Sequence, residues 1–492
     1  MDKALRFKEH VARAAAKGLA AAMCLKKIED GFATNGRQLF VATVAPTMDY
    51  ASNAWMHACG MKEAAWIDRA QRVGAQAITG AFRTVATAVA EAEAGVQSFR
   101  ERHARAAATF WIRIQTLPRT HPLTSLRLKL NKRYASPMQK LASKMGGIDS
   151  KRLEVIHEFA LAPWDDRLQV TYETDRVEEV KPDDSEGIVI ATQRKGKVGM
   201  GGVIRDASCN SAGEVLPDYS VTLGPSDEQN AYTAAIAMVL RCVPMGLHHR
   251  DLPIVTNNRS VLQVIGRPRQ QSGQCTIREI YGSVEYLGKR GCRVRLRWVP
   301  AKNEEFTLGP LAKMQAKRAT RDECVAEPAT FQARSTTLRL LLNEQARVGQ
   351  IPERVGQYSK RIDKALPGNH TRKLYDELTR KEAEVLVQLR TGKTRLNSYL
   401  RKIGVVESDE CSCGQSAETV EHFLFRCRRW MVQREIMLRY VRGKVGDLSF
   451  FLGGKAASDD DKWQPDMRAV QATIQFALAT KRLSMDRQRA TC

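Results

Sequence analysis

The chain has no long apolar run. Its cleanest stretch, GLAAAMCL at residues 18–25, is too short to cross a bilayer. The opening MDKALRFKEH lacks the apolar segment of a secretory signal. Cysteine is sparse and scattered. Eleven residues, an odd number and most of them single, exclude a disulfide framework and fit a reducing compartment. Glycine and proline stand at 33 and 17, ordinary values that argue against wholesale disorder. No internal repeat is present. These absences predict a soluble intracellular protein with no membrane partner. Nuclear residence is expected too, although no motif encodes it.

What the chain does have is length and positive charge. Its 492 residues, 43% of them hydrophobic, leave room for about three or four domains. The net charge is +24 and the pI about 9.7, a balance that suits a polyanion. Nucleic acid, RNA or DNA read with little sequence preference, is the expected partner, and an anionic membrane surface is the competing one. Residues 1–150 carry 23 Lys/Arg against 11 Asp/Glu, whereas residues 151–190 carry 5 against 11. Basic blocks separated by an acidic segment suggest domains joined by a linker.

Residues 1–134 read as helices, with apolar positions at helical spacing and an interruption at Pro46. VATAVAEAEAGVQSFRERHARAAATFWIRIQTL reads as one long helix. Residues 135–186 read as an acidic linker. From Gly187 to about 320 the pattern changes. GIVIATQ, KVGMGGVIRD and EVLPDYSVTL read as strands, and LPIVTNN and CRVRLRWVPA as strands alternating with helices. The glycines of KVGMGG permit close backbone approach. This order implies a mixed sheet covered by helices. Residues 335–405 are helical and basic, 406–432 hold a Cys/His cluster, and 445–492 form a tail with a final amphipathic helix. The fold class is therefore multidomain, α together with α+β or α/β.

Cys411-x-Cys413-x8-His422-x4-Cys427 is the strongest local signal. Four soft or borderline ligands within 17 residues suit a tetrahedral Zn²⁺ site. Gly414 allows the tight turn that Cys-x-Cys needs. His422 falls on the first turn of a helix, and one turn with a slight distortion brings Cys427 round. Arg426, Arg428 and Arg429 offer phosphate contacts, with Trp430 beside them as a stacking face. A solvated helix face is the equal alternative for these four.

DECSCGQSAETVEHFLFRCRRW resembles the CCHC segment that closes fungal non-LTR retrotransposon reverse transcriptases, and ALPGNHTRKLYDELTRKEAEVLVQLRTGKTRLNSYLRKIG the basic region before it. RQLFVATVAPTMDYASNAWMHA and QRVGAQAITGAFRTVATAVAEAEAG are similar to the thumb or connection region after the polymerase palm. IVIATQRKGKVGMGGVI, AYTAAIAMVL, IVTNN and WVPA follow the order of a type 1 RNase H domain. The resemblance implies the C-terminal part of such a polyprotein. No Tyr-x-Asp-Asp palm motif occurs.

The departures are as informative as the matches. RNase H chemistry needs four carboxylates around two Mg²⁺ ions. Their expected positions read Gln193 after Thr192, Tyr232 in the motif Ala231–Ile236, Asn257 after Thr256, and Lys313 or Ala312 near the end. A short deletion that removed the helix glutamate would read the same way. Mg²⁺ is not expected there, and no catalytic residue is assigned. The first reading is a nucleic-acid-binding retroelement fragment without catalysis. The second is a working RNase H that uses displaced acids such as Asp184, Glu186 or Glu228; Glu304 and Glu305 sit in the loop after the final strand. The third is a domesticated scaffold or regulatory protein acting through protein partners.

Overall fold

A computed structural model of the chain describes residues 7–27, 33–56, 59–127, 137–145, 152–157, 161–162, 164–172, 187–205, 215–244, 251–300, 308–326, 331–348, 351–439 and 442–484. They divide into two compact units. One combines residues 1–107 with 345–492, and the other is 108–344.

The first unit is helical and draws on both ends of the chain. The helix Met61–Thr79 buries Ile67, Ala70, Gly74 and Ile78 on one face and stops at Gly80, whose φ of +74° suits a residue without a side chain. Gly74 has a second reason to be glycine: a Cβ there would lie 2.4 Å from the Phe40 ring. Pro46 does not break its helix. A π-helical turn, Phe40–Val44, precedes Ala45–Asp49, and Ala45 N–H donates to Phe40 O. The wider turn accommodates the missing proline N–H. The stretch expected as one long helix is two, Thr87–Ala94 and Phe99–Gln115. Gly95 at φ +63° ends the first. Ser98 and Glu101 then make reciprocal backbone hydrogen bonds that start the second.

The C-terminal part of this unit packs around Arg380–Thr391, which opens on a Thr379/Glu382 capping box and buries Ala383 and every residue from Val385 to Thr391. Its core includes Leu374, Phe423, Phe451, Val470, Ile474 and Phe476. Part of the segment read as a tail, the helices Leu448–Phe451 and Met467–Thr480, thus supplies core. Backbone and side-chain bonds tie the chain's two ends together within the unit, among them Ala33 N–H to Leu378 O at 3.1 Å and Tyr375 Oη to Glu93 Oε2 at 2.9 Å.

The second unit holds a six-stranded mixed sheet. Its strands are β1 (Gln169–Tyr172), β2 (Gly187–Lys195), β3 (Lys197–Arg205), β4 (Val215–Pro225), β5 (Asp251–Thr256) and β6 (Arg293–Trp298), in the order β1-β6-β5-β2-β3-β4. β2, β3 and β4 form an antiparallel meander, and β5, β6 and β1 continue the sheet in parallel. β1 corrects the sequence reading. Gln169–Tyr172 falls in the stretch expected as linker, because four residues with one aliphatic side chain make a weak strand signal, yet it pairs with β6.

Helices Ala231–Cys242, Arg259–Gly266 and Gln274–Gly288 cover one face of the sheet over Ile188, Ile190, Leu252, Ile254, Val294 and Leu296. Leu308–Arg318 lies on the other face, against β2, β3 and β4. Here the β3 glycines do what the sequence suggested. A Cβ on Gly201 would meet Ala316 N at 2.2 Å, and one on Gly199 would meet Ala316 O at 2.5 Å.

Candidate metal centre

Cys411, Cys413, His422 and Cys427 come together within the first unit, their ligand atoms all within 4.8 Å of one another. The local chain explains the convergence. Gly414 N–H donates to Cys411 O (2.8 Å) and Cys411 N–H to Ser416 O (2.9 Å), with Gly414 at φ +73°, so both thiols of Cys-x-Cys sit on one tight turn. Thr419 Oγ1 accepts from His422 N–H at 3.1 Å and starts the next turn. That turn, His422–Arg426, is π-helical, closed by Cys427 N–H donating to His422 O at 2.8 Å. An α-turn would return the chain one residue too early. The wider turn brings round a residue five positions on.

Cys411 Sγ and Cys427 Sγ are 3.6 Å apart, and Cys413 Sγ and His422 Nε2 3.3 Å. Tetrahedral coordination with Zn–S of about 2.3 Å and Zn–N of about 2.05 Å requires separations of about 3.8 and 3.6 Å, so these two pairs stand within a few tenths of an ångström of what one metal ion needs, and all four donors lie within 4.8 Å of one another. Burial, and then Arg434, push the His422 imidazole below its usual range, which favours the neutral form a metal needs. Burial and the neighbouring thiols push Cys411 up to about 12. Burial acts the same way on Cys413, but hydrogen bonds from the Gln415 backbone and the adjacent thiols outweigh it and hold that thiol low.

The supporting residues carry little signal in the sequence. Ser416 Oγ meets His422 Nδ1 at 2.9 Å and orients the ring. The buried Arg434 donates to Leu424 O and Cys427 O, both at 2.7 Å, and to Phe423 O, occupying carbonyls that the end of the turn leaves open. Thr419, three residues before His422, was the one readable signal, since it stands at a helix-start spacing.

The flanking residues separate. Arg426, Arg428 and Arg429 are exposed. Arg426 pairs with Glu421 at 2.5 Å, and Arg429 donates to Ser412 Oγ at 2.7 Å. Trp430 corrects the expectation of an open stacking face. It is 8% exposed, packed in the core, with the Arg429 guanidinium over its ring at 5.1 Å. An aromatic ring of this size at the foot of a helix covers more apolar area inside than it offers outside.

In the second unit, Gln193 lies on β2, Tyr232 on the helix Ala231–Cys242, Asn257 just past β5, and Lys313 exposed on the helix Leu308–Arg318, next to buried Ala312. Ile190 pairs with Thr256, so Ala191 is level with Asn257 and Gln193 stands two residues beyond. Neither β2 position is acidic. Tyr232 Oη donates to Ser272 O at 3.1 Å, and burial raises its pKa. Glu228 is engaged by a forked ion pair with Arg152, one arm of it 2.7 Å long. Asp184, Glu186, Glu304 and Glu305 lie outside the described residues. Among the described residues, the Cys/His cluster is the one group of His, Cys, Asp and Glu arranged for a metal.

No family model matches the chain, and no curated protein matches it. Solved structures give weak likenesses. The RNase H domain of PFV in solution has 13% identity and a TM-score of 0.23, over 28% of this chain and 94% of that one. The N-terminal RNase H domain of Rv2228c from Mycobacterium tuberculosis, fused to maltose-binding protein, has 16% identity and a TM-score of 0.20, over 27% and 99%. The native prototype foamy virus protease-reverse transcriptase has 15% identity and a TM-score of 0.23, over 47% and 34%. At these scores none of them bears on function.

Proposed function

We propose that this chain is a nucleic-acid-binding protein derived from a retroelement. In this reading it is the C-terminal part of a fungal-type non-LTR reverse transcriptase, with an RNase H-like domain that no longer cuts and a zinc knuckle. One observation carries the reading. β2 and β5 lie side by side and parallel after an antiparallel meander, the arrangement the RNase H resemblance implies, while the positions expected to bear acid read Gln193, Tyr232 and Asn257. Neutral amides and a phenol do not replace anionic oxygen ligands for Mg²⁺.

Two further observations support it. Glu228, the nearest described acid in the helix region, is held by Arg152. The net charge of +24 favours a phosphate backbone over a protein surface. The knuckle residues Cys411, Cys413, His422 and Cys427 would hold Zn²⁺, which when bound locks the turn that presents Arg428 and Arg429. Those two arginines would take phosphates. Nuclear residence belongs to the same reading.

The test is binding and cleavage of an RNA–DNA hybrid by the full chain in Mg²⁺ or Mn²⁺. Expected are affinity that falls steeply with salt, little sequence preference, weaker binding after Arg428→Ala with Arg429→Ala, and no cleavage. Cleavage abolished by Glu228→Gln overturns the loss of catalysis. Affinity indifferent to salt overturns nucleic-acid binding.

A further inference from the structure

β6 reads Arg-Val-Arg-Leu-Arg-Trp, and its alternation sorts it onto two faces. Val294 and Leu296 are buried beneath the covering helices. Arg293, Arg295 and Arg297 therefore share the opposite face. Register carries that face sideways. Arg293, Arg295 and Arg297 stand beside Asp251, Pro253 and Val255 on β5, and Gln169 and Thr171 of β1 stand beside Arg295 and Arg297.

The helix Leu308–Arg318 covers this face at β2, β3 and β4. Beyond it Arg293, Arg295, Gln169 and Thr171 are exposed, and Arg297 is half-buried. Asp251 is the one carboxylate on these three strands' shared face, paired with Arg295 (Nε to Oδ1, 2.9 Å) at half-exposed positions. Exposed pairs of this kind are weak and yield to a competing anion. Among the described residues of these three strands the face carries three arginines and one aspartate, and Arg297 has a further interaction of its own.

We infer that this face of β6, β5 and β1 binds a single strand of nucleic acid, with successive phosphates meeting Arg293 and Arg295. The inference rests on the nucleic-acid reading above and assigns it a surface. Residues at every second strand position recur about 6.6 Å apart, close to the spacing of successive phosphates along a nucleic-acid strand. Guanidinium forks match phosphate oxygens two at a time. The exposed Gln169 adds neutral hydrogen-bonding capacity beside the ladder.

The experiment measures binding of a short mixed-sequence single-stranded RNA by fluorescence anisotropy over a salt series. It compares the full chain with Arg293→Gln/Arg295→Gln and with a control of equal charge change, Lys317→Gln/Arg318→Gln, on exposed positions of the neighbouring helix. Expected for the ladder variant are a roughly tenfold loss of affinity and a salt slope shallower by about one to two. The control is expected to change little, and Arg293→Lys/Arg295→Lys to keep most of the slope. An equal loss in the control, or an unchanged slope in the ladder variant, overturns the surface. A full chain that binds no RNA or DNA overturns the nucleic-acid reading itself. Unchanged circular dichroism of each variant shows that the sheet is intact.

Discussion

Arg390 and Glu93 stand 297 positions apart in sequence and meet at 2.7 Å, with side chains 1% and 0% exposed. Arg390 also donates to Asp363 Oδ2 at 2.7 Å and Leu452 O at 2.6 Å, and His370 Nε2 meets the same Asp363 oxygen at 2.6 Å. Burial pushes Asp363 up, but His370 and Arg390 outweigh it and hold the carboxyl at about 2. Arg390→Met would leave two buried carboxylates without their cation, a loss of about 3–5 kcal/mol. The expected result is lost hydrogen-exchange protection across residues 7–107 and 351–484, with the six-stranded sheet unaffected. Equal loss of protection in the sheet counts against it.

The metal centre predicts one Zn²⁺ per chain. Chelation is expected to loosen residues 408–430, because a bound metal would add four bonds between the Cys-x-Cys turn and the π-helical turn to the Ser416–His422 and Ser412–Arg429 hydrogen bonds. Elemental analysis of chain purified without chelator reads the stoichiometry, and hydrogen exchange reads the loosening. Cys413→Ser should lower metal content and protection together. Metal content near zero in the unaltered chain sinks the prediction.

Glu91 makes stability depend on pH. It is 8% exposed, and burial, aided by Asp68 and Glu101 and opposed by Gln71, pushes its carboxyl from 4.5 to about 7. The folded chain thus keeps a proton that the unfolded chain gives up. That contribution is fully present below pH 4.5 and lost as pH rises through about 7, at about 1.4 kcal/mol per unit. Glu91→Gln should therefore stabilise the chain at pH 8 by up to about 3 kcal/mol and leave it nearly unchanged at pH 4. A Tm difference that does not grow with pH contradicts this.

Restoring acids tests the loss of catalysis from the other side. Gln193→Asp, Tyr232→Glu and Asn257→Asp together should bring measurable Mg²⁺ or Mn²⁺ binding, seen by calorimetry, before any hybrid cleavage. Metal ligation tolerates positional error that phosphoryl transfer does not. If the triple variant binds no more metal than the parent chain, Gln193 is the wrong position, and Ala191, level with Asn257, becomes the one to change.

Much of this protein was legible along the chain. The alternation of RVRLRW, the continuous apolar start of IVTNN, the glycines of GMGG and the spacing of Cys411, Cys413, His422 and Cys427 are local patterns. Strand faces, close helix approach and a metal-sized cluster follow from them over a few residues. Only the tertiary structure decided the rest, because it depends on contacts between distant residues. Trp430 looks like a free stacking ring until Arg429 and the core close over it. Gln169–Tyr172 is too short and too polar to announce a strand, and pairing with β6 makes it one. Nothing in the local sequence marks Glu93 and Arg390, and the burial that turns them into a pair exists only once the chain's two ends pack into one unit.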